Sequence, residues 1–103
     1  MNQSERRASR RFPLQQHATL SYRNNGPREI SAMTENASIA GVLLLADSAI
    51  AEGSQVEVTI LLQGDGIAHA IRLHGAGKVV RVHERHPGKF NIAVGYDHPL
   101  AEA

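Results

Sequence analysis

Four arginines, Arg6, Arg7, Arg10 and Arg11, fall within six positions of the stretch ERRASRRF (residues 5–12). A guanidinium is always charged and planar. It can donate two parallel hydrogen bonds to a phosphate or to the O6/N7 edge of guanine, and it can lie flat on an aromatic base. The alternative use of such a run is a solvated basic tail, since like charges repel and chain ends fray. A second stretch with chemical character is NASIAGV (residues 36–42), built from small residues between two apolar segments. Asn36 and Ser38 both carry short polar side chains that donate and accept, and their two-residue spacing in extended chain puts them on one face. Gly41 supplies either a positive φ or room for a close backbone approach. The same stretch also reads as a plain turn held by side-chain to backbone hydrogen bonds.

Other chemistries find less support. The six histidines (His17, His69, His74, His83, His86 and His98) follow no zinc-ligand spacing, and His83 and His86 flank a turn signal at Pro87. No metal site is expected. There is no cysteine for thiolate chemistry or disulfides, and no Gly-x-Ser-x-Gly elbow. The carboxylates are scattered singly, so an enzyme is not expected.

The totals bound the partner. The chain has 103 residues, room for one modest core, and a formal charge of +1. Four of its eleven basic residues lie at 6–11, which leaves seven against ten acidic residues, a formal −3 for the rest. A binder of nucleic-acid polymers usually carries a basic face across the whole fold. Charge this local favours a small anion. No apolar run approaches the roughly 18 residues of a membrane span, and no signal-peptide segment follows the charged start. A cytoplasmic protein without a membrane span is therefore expected.

The elements that must position these residues are strands. Val56, Val58, Ile60 and Leu62 alternate with Glu57, Thr59, Leu61 and Gln63, and Phe90, Ile92, Val94 and Tyr96 repeat the pattern. Ala18, Leu20 and Tyr22 lead into the turn signal NNGP (24–27), a further strand runs from about Ile30 to Glu35, and GVLLLA (41–46) is a nearly all-apolar strand. GDG (64–66) and HPGK (86–89) read as hairpin loops, and DSAIAEGS (47–54) as a loop. Residues 67–83 form one long run in which GAG (75–77) predicts a bulge or sharp bend. The class is all-β, a small barrel or sandwich of about six antiparallel strands.

Taken together, Arg7-Ala8-Ser9-Arg10-Arg11 and Asn36-Ala37-Ser38-Ile39-Ala40-Gly41 resemble the two signature motifs of the PilZ domain family, Arg-x-x-x-Arg and Asp/Asn-x-Ser-x-x-Gly. Their order and the 25 residues from Arg11 to Asn36, with a hairpin between, make the likeness more specific than either motif alone. GKVVRV (77–82) and FNIAVGYD (90–97) also look like the family's last strands. Arg6/Arg10 is the other possible register of the first motif. Arg7/Arg11 is preferred because Phe12 follows Arg11 at once and starts the first strand.

The resemblance implies a six-stranded antiparallel β-barrel that binds the second messenger cyclic di-GMP, with no other cofactor. It implies that residues 1–11 form a flexible clamp loop, 12–99 the barrel and 100–103 a tail. Arg7 and Arg11 would grip phosphate and guanine, Asn36 and Ser38 would hydrogen-bond a guanine edge, and Gly41 would leave room beneath it. An arginine at Arg6 is similar to members that take a stacked pair of ligands. Asn36 stands where aspartate is commoner, which bears on affinity, since an amide oxygen serves guanine's N1–H and N2–H less well than a carboxylate. With no output domain in sight, the signal would pass to an unidentified downstream protein. The alternatives are a degenerate PilZ-type adaptor that binds protein but no nucleotide, and, more remotely, an OB-like barrel for single-stranded nucleic acid. The latter would need more aromatic platforms than Phe12, Tyr22, Phe90 and Tyr96.

Overall fold

The computed structural model describes residues 12–102, which contain eight strands and no helix. Residues 1–11, expected as a flexible clamp loop and holding the four arginines, lie outside the described residues. Strands β1 (Phe12–Pro13), β2 (His17–Arg23), β3 (Pro27–Ala37) and β4 (Gly41–Ala46) are followed by β5 (Gln55–Leu62), β6 (Ile71–His86), β7 (Lys89–Tyr96) and β8 (Ala101–Glu102). The neighbours run β1-β3-β2-β5-β6-β7-β4, and β4 pairs again with β3. That last pairing closes six strands, β3-β2-β5-β6-β7-β4, into an antiparallel barrel with β1 and β8 outside the ring.

The period of two carries the core. Ala18 and Leu20 of β2, Val56, Val58 and Ile60 of β5, and Ile92 and Val94 of β7 all turn inward and are buried. They meet Val42 and Leu44 of β4 and Val79 of β6 at the centre. Full burial of such a side chain stabilises by about 1.5–3 kcal/mol, so this interior set supplies most of the drive to close the ring. Ile50, in the loop of residues 47–54, is also buried and joins the core.

The turns follow their chemistry. Asn25 and Gly26, both at positive φ, return β2 onto β3, and Pro87-Gly88 joins β6 to β7 in a two-residue loop. The long β6 serves two neighbours: Ile71–Lys78 pair with β5 and Gly77–His86 with β7.

Two expectations are corrected. Of the bulge or sharp bend expected at residues 75–77, the bulge is absent, and the ladder to β5 runs through them without a shift. Their glycines instead permit close approach: a Cβ on Gly77 would collide with the Gly95 carbonyl oxygen, and one on Gly75 would sit 2.6 Å from Leu100 Cδ2. Nor do residues 100–102 trail off as a tail. Leu100 packs on the core, and Ala101 and Glu102 pair with His74 and Leu73 of β6. Among the described residues no helix is long and apolar enough to cross a membrane.

Candidate functional site

The turn between β3 and β4 is built by Ser38. Its Oγ accepts from the backbone N–H groups of Ala40 and Gly41, each at 3.2 Å, while its own N–H donates to the Gly41 carbonyl at 2.9 Å. The hydroxyl thus spends both lone pairs on the turn. Its remaining asset is the O–H, now in a long 3.4 Å contact with the Gly41 carbonyl. The turn reading of NASIAGV is therefore realised in the fold, and Ser38 has a donor, not an acceptor, to offer a ligand.

Gly41 resolves the choice left open by the sequence. It is not among the residues at positive φ, and its value is proximity: a Cβ there would fall well inside contact distance of the Val94 carbonyl oxygen. Gly41 pairs with Gly95, and Tyr96 N–H donates to the Ala40 carbonyl at 2.9 Å. The turn is thereby pressed against β7 with a glycine floor beside it.

The short β1 runs beside the start of the second motif. Phe12 pairs with Ala37 and Pro13 with Asn36, antiparallel, so the chain enters the barrel beside the start of NASIAG. The pairing is locked behind Pro13. Leu14 N–H donates to the Glu35 carbonyl at 3.1 Å, and Thr34 Oγ1 donates to the Leu14 carbonyl while accepting from Gln16 N–H at 2.8 Å. Thr34 is the one buried polar side chain among the described residues. Its hydroxyl ties the first described residues to β3.

A bulge sets the aim of Asn36. Ala32 and Thr34 point inward, so strict alternation would also send Asn36 into the core. The register shifts between Thr34 and Asn36, leaving Glu35 as the extra residue, and Asn36 pairs with outward-facing Leu43. Asn36 consequently faces outward, and Ser38 follows in the turn after β3.

A matching bulge lies three strands away. On β6 the register shifts between Val79 and Arg81, leaving Val80 as the extra residue and pairing Arg81 with Ala93. One outer row then reads Pro13–Asn36–Leu43–Ala93–Arg81 across five strands. The next outward row holds Gly41, Gly95 and Lys78. From Asn36 to Arg81 is three strand spacings, about 14 Å along the wall. Neither Lys78 nor Arg81 has an ion-pair partner among the described residues. Exposed apolar groups rim this surface: Phe12 at 58 %, Ile39 at 65 % and Val80 at 60 % exposure. An amide and hydroxyl on one side and two exposed cations on the other suit an anionic ligand with polar edges.

Of the site residues expected from sequence, Asn36, Ser38 and Gly41 come together at this turn, and Arg6, Arg7 and Arg11 precede the described residues. Lys78 and Arg81 escaped the sequence reading, although a signal existed. Arginine at the apolar phase of GKVVRV breaks the alternation, and a charge in that phase marks a bulge. Among the described residues no three metal-ligating side chains converge. His74 makes ordinary cross-strand contacts, with Nδ1 2.9 Å from Thr59 Oγ1 and Nε2 3.5 Å from Glu57 Oε1.

Known proteins agree with this architecture. The structure of Bacillus subtilis inhibitor of motility (MotI/DgrA) superposes with a TM-score of 0.74 at 17 % identity. The match covers 93 % of this chain and 44 % of that one, so this chain spans less than half of its neighbour's length, and the likeness is one of fold. No curated protein sequence matches the chain. The profile of the PilZ domain, however, matches residues 5–102 and takes in both the arginine stretch and NASIAG. The chain belongs to the PilZ domain family.

Proposed function

We infer that the protein is a receptor for cyclic di-GMP that acts as an adaptor, reporting the ligand to a partner protein through its N-terminal arginine segment. PilZ domains are regulatory binding domains, and family membership supports the ligand class. The observation that carries the reading is the register Phe12↔Ala37 and Pro13↔Asn36, since Arg11 is covalently joined to Phe12 and the other arginines directly precede it. The first described residues after the arginine motif thus run beside the start of the second motif, which supports a shared site.

The chemistry fits a ligand with two phosphates and two guanines. Arg7 and Arg11 donate paired hydrogen bonds to phosphate and the O6/N7 edge, and the Asn36 amide oxygen accepts from guanine N1–H or N2–H. The Ser38 O–H serves a ligand acceptor, and the Gly41–Gly95 floor admits the flat ring. Lys78 and Arg81 meet the ligand's far side. Bonds to charged groups contribute about 1.5–3 kcal/mol each, and two or three of them with stacking reach the roughly −8 kcal/mol of a micromolar complex. Ordering the arginine segment over the ligand changes the surface offered to the partner.

Titration calorimetry tests this with cyclic di-GMP and a single-stranded oligonucleotide as probes. Micromolar binding of the dinucleotide alone, abolished in Arg7→Ala and in Arg11→Ala, is the expected result. Unchanged binding in both variants overturns the site, and a wild type that ignores the dinucleotide makes the protein a nucleotide-free adaptor. Arg6 as a further phosphate contact for a stacked pair predicts two ligands per domain. A ratio near one refutes it.

A further inference from the structure

Two of the three bulged positions of this barrel are linked to each other. Besides Glu35 on β3 and Val80 on β6, a second shift in β6 lies between Glu84 and His86 and leaves Arg85 as the extra residue. A bulged residue projects off the ladder and can reach beyond its immediate neighbours. Glu35 and Arg85 use that freedom to meet. Arg85 Nη1 donates to Glu35 Oε1 at 3.1 Å and to Oε2 at 3.3 Å, spanning 50 residues of sequence and the two intervening strands β4 and β7. Asn91 on β7, midway, also donates its Nδ2 to Glu35 Oε1 and contacts the Leu44 carbonyl at 3.4 Å. The Glu35 carboxylate is thus held from two strands at once, while its own backbone carbonyl receives Leu14 N–H.

We propose that the clasp formed by Glu35, Arg85 and Asn91 is a positioning device that fixes the β3 bulge and thereby keeps Asn36 aimed at the ligand. It rests on the reading of the site as a cyclic di-GMP receptor. Asn36 is the residue next to the bulge, and its outward direction exists only because Glu35 is looped out. If Glu35 re-enters the ladder, Asn36 turns toward the core and Ala37 takes the outer face. Holding Glu35 across the wall opposes that slip. None of the three clasp residues is among those assigned to the ligand. Its members lie on the outer surface, with the Arg85 side chain about half exposed, so its contribution to global stability is small.

The full chain carrying Arg85→Ala, Arg85→Lys, Asn36→Ala and the double change Arg85→Ala/Asn36→Ala tests it, with cyclic di-GMP calorimetry and thermal melting on each. Arg85→Ala is expected to weaken binding five- to tenfold with Tm within about 2 °C of wild type, and Arg85→Lys to restore much of the loss. The double variant is expected to bind no more weakly than Asn36→Ala alone, because Arg85 acts through Asn36. Additive losses, binding within twofold of wild type in Arg85→Ala, or a Tm that falls in step with affinity would overturn the proposal. Should wild type not bind the dinucleotide, the receptor reading fails by itself. The positioning claim then stands or falls on the side-chain amide resonances of Asn36 in the ligand-free protein, which must move in Arg85→Ala and return in Arg85→Lys.

Discussion

Asn36, Ser38 and Gly41 divide the work of one short turn, and each does so by a different physical means. Ser38 holds the backbone, Gly41 lets it approach β7, and Asn36 is left to face outward with its amide. Replacing Asn36 by Asp is expected to tighten cyclic di-GMP binding by about three- to tenfold at neutral pH, because a carboxylate accepts from N1–H and N2–H together. Calorimetry checks this, and an Asp variant that binds more weakly shows that this side chain does not meet guanine's donor edge. Gly41→Val is a different kind of change. Its side chain meets the Val94 backbone, which cannot yield as a flexible side chain would, so a loss of about 1–3 kcal/mol is expected in urea unfolding. Wild-type stability in that variant would contradict the close approach. The residue types at this turn were legible in the sequence because their spacing is local. The engagement of the Ser38 hydroxyl was not, since it depends on the path of the turn.

The strands explain why Phe12, directly after the arginine motif, lies beside the second motif. Period two located β2, β5 and β7 from sequence, the apolar run GVLLLA located β4, and the turn residues located the hairpins, because these signals live within a few residues. The bulges showed less, and they decide which side chains look outward. Only Arg81, in the apolar phase of GKVVRV, hints at the Val80 bulge; Glu35 and Arg85 carry no such sign, and their looping out depends on pairing with strands far along the chain. The glycines 75 and 77 misled for a related reason: their purpose lies in Leu100 and Gly95, which sequence proximity does not reveal. Thr34 is the element-level joint, its hydroxyl serving both Leu14 and Gln16 from a buried position. Thr34→Val keeps the shape and removes both bonds. It is expected to cost about 1–3 kcal/mol in urea with an unchanged m-value, because Gln16 N–H loses its acceptor. A cost below a few tenths of a kcal/mol would mean that water replaces the hydroxyl and that β1 is not pinned there.

At the scale of the molecule, closure of the barrel concentrates the core at its centre and leaves the tyrosine of FNIAVGY at the end of β7. Tyr96 pairs with Gly77 at the point where β6 passes from one neighbour to the other, and its N–H reaches the Ala40 carbonyl of the site turn. Its ring packs against the buried cluster, and desolvation pushes the phenol up from 10.0 to about 12. The folded protein therefore holds this proton more tightly than the unfolded chain does. Below pH 10 both states are protonated and the contribution is fully present. Between pH 10 and 12 the unfolded chain ionises first, so stability falls as pH rises. Other groups titrate in the same range, and the informative quantity is the difference between wild type and Tyr96→Phe. Melting curves from pH 8 to 11.5 should show a steeper decline of Tm in wild type than in Tyr96→Phe. Parallel curves would place the phenol in water and detach it from the seam that carries the site turn.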